Sequence, residues 1–173
     1  MLNARSFAVA LPLIVVARVA TTQEQPVSWR ATAKTAAFAE IGGSVGLYSL
    51  NLDRKLNSNV TIRVGSANYS SIEFGDQPRR NYQMLAVLVN VLTGGPTAWW
   101  EMGLGPRLGK YRLDGSTGIE PRVASITTTF GYRYQPSRGG LVFRAVLSPQ
   151  FELRGPNERA TSWWPGVSVG FAF

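Results

Sequence analysis

The chain has 173 residues, 45% of them hydrophobic and 16% charged, with a formal net charge of +8 and neither cysteine nor histidine. That is the length of one domain, and it is too apolar for a disordered chain. The composition excludes Cys-ligated metal sites and removes the commonest general base and metal ligand, while the positive charge favours anionic partners: nucleic acid, anionic lipid or lipopolysaccharide phosphate.

The opening stretch, MLNARSFAVALPLIVVARVATTQEQ, places Arg5 ahead of an apolar run from Phe7 to Ala17 that gives way to small residues. This is the layout of a secretory signal, and the run is too short to cross a bilayer as a helix, which takes roughly 20 residues. Cleavage after Ala17 or after Ala20 fits, leaving a polar linker over residues 21–34 and a barrel domain over residues 35–173.

Beyond residue 35 the apolar residues recur with period 2, the mark of strands with one apolar face. Thr35 to Gly42 (TAAFAEIG) reads as a first strand and Gly43 to Gly46 as a tight outer turn. The competing reading is one long strand from Ala36 to Leu56, whose odd count would need a parallel closing pair. Tyr48, Leu50, Leu52 and Leu56 then oppose Ser49, Asn51, Asp53 and Lys55, and Val60, Ile62 and Val64 oppose Thr61, Arg63 and Gly65. Leu85, Val87, Val89 and Val91 alternate with a less polar set, Met84, Ala86, Leu88 and Asn90. Trp100, Met102, Leu104 and Leu108 oppose Glu101, Gly103, Gly105 and Arg107. Ala124, Ile126, Thr128, Phe130, Tyr132 and Tyr134 share a face against Ser125, Thr127, Thr129, Gly131 and Arg133. Leu141, Phe143, Ala145 and Leu147 oppose Val142, Arg144, Val146 and Ser148, and Val167, Val169, Phe171 and Phe173 oppose Gly166, Ser168, Gly170 and Ala172.

Short turns at Asn57-Ser58, Thr93 to Pro96 and Gln135 to Gly140 alternate with long polar loops at Ser70 to Asn81, Arg112 to Pro121 and Arg154 to Ser162. Together these elements predict an all-β fold, an eight-stranded antiparallel up-and-down transmembrane barrel with short periplasmic turns and longer extracellular loops. A soluble secreted lipocalin-like barrel is the alternative, and it would enclose its apolar face and show water Lys and Glu. Here the non-apolar face mixes glycines, small hydroxyls and charges of both signs, which suits a narrow polar lumen where small residues leave room for long arginines. Sliding the register by one would turn Arg63, Arg133, Arg144 and Glu101 into lipid, on the order of 10 kcal/mol in all. Trp100, Tyr132, Tyr134 and Phe171 near the turns, with Tyr48 and Trp163 near the loops, match two interfacial aromatic girdles.

The inward charges Glu40, Asp53, Lys55, Arg63, Glu101, Arg107, Arg133, Arg144 and Glu152 are the first candidates for a site. They form either a narrow pore or a self-satisfying plug, and in a lumen just wide enough for side chains the plug is favoured. Ser148, near Arg144 and Glu152, lacks a base to activate it and reads as an ordinary lumen serine. No catalytic constellation, cofactor site or metal site emerges; SVGLYS and GPRLGK lack Walker spacing, and YSLNLDRKLNSN lacks the terminal Glu of an EF-hand loop. Arg79, Arg80, Arg112, Arg122, Arg154 and Arg159 fall in or beside the outer loops, where lipopolysaccharide phosphates lie, and guanidinium suits bidentate phosphate contact. Nucleic acid is a poor partner for charge spread over many loops.

The stretch WPGVSVGFAF resembles the C-terminal signal of bacterial outer-membrane proteins. That resemblance implies recognition of Val169, Phe171 and Phe173 by the barrel-assembly machinery. EIGGSVGLYSLNLDR, FGYRYQPSRGGLVFRAVLSP and WPGVSVGFAF also resemble a family of small outer-membrane barrels over roughly residues 36–173. Size is similar to the OmpA-type and OmpX-type barrels. The resemblance implies a fold and an outer-membrane address, with a structural or surface-interaction role and membrane lipids as partners, but carries no enzymatic activity.

Overall fold

The computed structural model describes residues 33–70, 80–113, 120–155 and 161–173. In chain order the strands are β1 (Thr35–Gly42), β2 (Tyr48–Lys55), β3 (Val60–Ser70), β4 (Arg80–Gly94), β5 (Ala98–Leu113), β6 (Arg122–Tyr134), β7 (Gly140–Arg154) and β8 (Thr161–Ala172). Each pairs antiparallel with the next, and β8 returns to β1 through pairs from Ala36–Ala172 to Gly42–Gly166, closing the barrel. Residues 36–56 fold as a hairpin, with Ile41 opposite Tyr48 and Thr35 opposite Arg54. Gly42 and Gly43 take φ of 72° and 81°, the left-handed conformation that makes so tight a reversal cheap.

The periplasmic turns follow from their residues. Asn57 Oδ1 accepts the amides of Asn59 (2.9 Å) and Val60 (2.8 Å), so the side chain replaces backbone partners that a two-strand reversal cannot supply. Between β6 and β7 the chain turns at Gly139, whose φ is 90° and whose amide donates to the Pro136 carbonyl at 3.1 Å.

Parity sets the two faces of the wall. Leu50, Val89, Met102, Phe130, Phe143 and Val169 are exposed, whereas Arg63, Glu101, Arg133 and Arg144 are buried. This is the reverse of a lipocalin-like barrel, and it excludes that reading. Rings cluster near the turn end of the outer wall: Trp100 stacks on Phe130 at 5.6 Å between centroids and meets Tyr132 edge-on at 6.1 Å. Inside, an apolar tier of Ala33, Ala36, Phe38, Val142 and Ala172 lies at the periplasmic end, and a second built on Val45, Tyr69, Met84, Leu88 and Val123 lies at the outer end. Charges fill the space between.

β3, β4 and β5 reach Ser70, Arg80 and Leu113, at the loop bounds expected from the sequence to within about a residue, and their outer ends carry Asn68, Gln83 and Lys110 on the outward face. One sequence expectation changes. The inward glycines make room for something other than arginine. A Cβ on Gly65 would meet Asn51 and Val45, one on Gly103 would meet Asn90 and Thr129, and one on Gly131 would strike the Ala145 carbonyl. In so tight a cylinder inward positions converge on the neighbouring strand and on short side chains, while the guanidiniums sit elsewhere.

Depth in the wall should therefore govern tolerance to charge. Val89→Arg, in the middle of the apolar band, is expected to lower unfolding free energy in lipid vesicles by about 2–4 kcal/mol, and Asn68→Arg, at its outer edge, by about 0–1 kcal/mol; denaturant titration of both variants checks this.

Candidate functional site

The lumen holds the densest chemistry among the described residues. Asp53 on β2 stands opposite Arg63 on β3, and Arg133 on β6 stands opposite Arg144 on β7. The second pair sets two like charges face to face, which is destabilising unless a counter-ion intervenes. Glu101 on β5 supplies it. Its Oε2 accepts from Arg144 Nε at 3.1 Å and from Arg133 Nη1 at 3.4 Å, and its Oε1 from Arg144 Nη2 at 2.7 Å and from Arg63 Nη2 at 2.5 Å. One carboxylate thus joins three guanidiniums from three strands.

The other two carboxylates complete the balance. Asp53 Oδ2 lies 2.6 Å from Arg133 Nη1 and 3.2 Å from Arg63 Nη2. Glu40 Oε1 accepts from Arg144 Nη1 at 3.0 Å and from the Ser168 hydroxyl at 3.1 Å. Three arginines face three acids, so the cluster is formally neutral, and every member is at most 3% exposed. Bidentate and charge-assisted contacts of this kind are what offset the desolvation of buried ions.

Several neighbours were not singled out from sequence. Phe38 packs against two guanidiniums, with the Arg144 carbon 4.7 Å and the Arg63 carbon 5.1 Å from its ring centroid. Such packing adds cation–π attraction where water is excluded. Its inward position follows from Glu40 by parity, but an inward aromatic carries no sign of its partners. Gln135, in the β6–β7 turn, accepts from Arg133 Nε at 2.8 Å, which ties the cluster to the periplasmic turn.

The remaining inward charges stand apart. Arg107 donates to the Ser125 hydroxyl at 2.8 Å and to the Val45 carbonyl at 3.2 Å, so it anchors the first outer turn inside the barrel. Gln150 holds the same turn through the Gly43 carbonyl at 3.0 Å. Lys55 is half-buried at the periplasmic end, its Nζ 5.4 Å from the Trp99 ring centroid, and Glu152 is half-buried toward the outer end. Ser148 is fully buried and its hydroxyl has no hydrogen-bond partner among the described residues. No base activates it there. Among the described residues no group of three or more acidic or other ligating side chains is arranged to hold a metal ion.

At the outer rim, Arg79 and Arg159 lie outside the described residues. Arg80 is half-buried over the Tyr111 ring at 5.8 Å, and Arg112 and Arg154 are exposed at strand ends. Glu120 bridges Lys110 and Arg112. Hydrogen bonds from Lys110 first, and then from Arg112, hold its carboxyl below the usual glutamate range.

Val169 and Phe171 face outward on β8 and are more than half exposed. Phe173 follows at 64% exposure, with its amide on the Thr35 carbonyl at 2.8 Å.

No protein-family model matches the sequence, and no curated protein matches it. Solved structures match in shape. The N-terminal β-barrel domain of Pseudomonas aeruginosa OprF superposes with a TM-score of 0.62 at 15% identity, over 83% of this chain and 98% of that one. Ail, the attachment invasion locus protein of Yersinia pestis, gives 0.49 at 11% identity, over 82% and 97%. The likeness to the OprF domain establishes the fold as an eight-stranded barrel of outer-membrane type.

Two outcomes test these contacts. Glu101→Gln removes the charge that three arginines share and is expected to lower unfolding free energy by about 3–5 kcal/mol, read by denaturant titration in vesicles. In a carboxyl NMR titration Glu120 should protonate below the ordinary glutamate range and return toward it in Lys110→Ala; because its folded value is depressed, whatever stability it adds is present above the ordinary range and disappears as pH falls through the folded value.

Proposed function

We propose that the chain is a closed, non-conducting outer-membrane barrel with a structural or adhesive role, acting through its wall and outer rim and contacting lipopolysaccharide there. The observation that carries this reading is the neutral cluster across the lumen: three guanidiniums and three carboxylates, all buried, lie between two apolar tiers, with Phe38 of the periplasmic tier packed against two of the guanidiniums. A pore needs a wetted lining, and here the six charged groups are buried and ion-paired with one another, although Arg63 Nε and Nη1 and Asp53 Oδ1 are left without a hydrogen-bond partner among the described residues. Lys110, Arg112 and Arg122 support the lipopolysaccharide contact. On the outward face Leu85 and Leu108 are paired neighbours; the next row toward the outer end carries Gln83, Lys110 and Arg122, and the one beyond it Asn81 and Arg112. Cations at the upper edge of an apolar band meet lipid phosphates while the acyl chains meet the leucines.

Two further parts belong to the same proposal. Residues 1–20 act as a removable secretory signal followed by a linker over 21–34, of which residues 1–32 lie outside the described residues. Val169, Phe171 and Phe173 present the apolar edge that the assembly machinery reads before β8 pairs with β1.

The purified full-length chain in planar bilayers is expected to give no discrete conductance steps, and reproducible steps would overturn the closed interior. Joint replacement of Lys110, Arg112 and Arg122 by Ala is expected to reduce copurifying lipopolysaccharide several-fold with the barrel still heat-modifiable on denaturing gels. Unchanged copurification would overturn the lipid contact.

A further inference from the structure

The outer rim is uneven. β1 and β2 have 8 residues each, against 15 in β7 and 12 in β8. Past the Gly42–Gly166 pair, β8 from Thr161 to Pro165 is paired with β7 alone; past the Leu50–Ser66 pair, β3 from Ala67 to Ser70 is paired with β4 alone. The turn that could stand between these two edges folds into the lumen instead, where Ser44 and Val45 have no exposed surface. The wall therefore has a notch above the β1–β2 hairpin. Rings from its two faces meet there: outward Tyr48 and inward Tyr69 are 6.3 Å apart between centroids, in edge contact.

A groove of about 740 Å³ opens beside the notch. Ile41, Ala145, Pro165 and Val167 line it from the lipid side, and Leu47 and Trp164 line it from the notch. Val146 and Gly166, which face the lumen by parity, also border it. Its level is that of hydrocarbon, because exposed apolar residues continue beyond it toward the outer end, Leu147, Phe151 and Leu153 on β7 and Trp163 on β8. An unpaired backbone donor at that level is costly. The residue at which β8 loses its β1 partner is Pro165, which has no N–H, and its carbonyl takes the Gly43 amide at 3.2 Å.

We propose that this notch seats one acyl chain of an outer-leaflet lipid, entering sideways from the bilayer and resting against Leu47 and the buried turn. The groove is continuous with the lipid-facing band, and it differs from the other shallow depressions of the wall in being bordered by Leu47 and Trp164 at the notch. A phosphate has nothing to bind here, so this seat is separate from the cationic row on β4 to β6.

The test is photolabelling of the refolded full-length chain in phosphatidylcholine vesicles whose acyl chain carries a diazirine near its middle. Phosphatidylcholine has no net charge, which separates the chain seat from any phosphate contact. Adducts at Leu47, Ala145, Pro165 and Val167 are expected to exceed those at Met102 and Leu104, corrected for exposure, by at least fivefold. Ala145→Trp, which fills the groove from the lipid side, should bring them down to the level of Met102 and Leu104; Val167→Trp does the same from β8 should the first variant fail to fold. Labelling that merely follows exposure around the barrel, labelling unchanged by the folded filled variant, or barrel-to-barrel crosslinks at the same residues would each overturn the proposal.

Discussion

Hydrocarbon offers no hydrogen bonds and does not solvate ions, and that one property of the surroundings accounts for most of this molecule. It requires every strand to find two neighbours, which is why the sheet closes from β8 to β1. It also requires that charge on a spanning strand be turned inward. Once inward, the charges enter a cylinder too narrow for bulk water, so they must satisfy one another. The bridging of Arg63, Arg133 and Arg144 by Glu101 is the consequence, since Arg133 and Arg144 stand opposite each other and Glu101 is the carboxylate that both share.

The same logic assigns a role to parts that look incidental. Phe38 packs against the guanidiniums of Arg63 and Arg144, which have spent donors on carboxylates, and offers them a ring. Arg107 and Gln150 hold the backbone of the first outer turn in the upper lumen, so that one hairpin end becomes the plug of the barrel's outer half. Drawing that turn inward shortens the wall above β1 and β2. The notch and the plugged interior are thus two results of one local fold, and the proline at the notch edge leaves no N–H to be paired at that residue.

Much of the fold is legible in the sequence because period-2 alternation has large amplitude when one face meets lipid and the other meets charge. Phe130, Tyr132 and Tyr134 against Gly131 and Arg133 leave no doubt of register. The signal fades at the outer ends of β3, β4 and β5, where Asn68, Gln83 and Lys110 take the outward face and the loop bounds mark the strand ends instead. Inward placement of Glu40, Asp53, Arg63, Glu101, Arg133 and Arg144 follows from parity alone. Their partners do not, because contacts such as Arg144 with Glu40 cross 104 residues of chain and depend on the stagger of the closed barrel. Lys110 escaped notice for a related reason: it lies within a strand, and only the register of β5 against β4 and β6 places it beside Gln83 and Arg122 at the top of the apolar band.

Everything above rests on which face of the wall meets lipid. Solid-state NMR of the uniformly labelled chain in bilayers measures this without any substitution, through proton cross-peaks between side chains and lipid methylenes along β6. Cross-peaks at Ile126, Thr128, Phe130 and Tyr132, with none at Ser125, Thr127, Thr129 and Arg133, are the expected pattern. Lipid contacts at Thr127 and Arg133 with Phe130 and Tyr132 silent would contradict it.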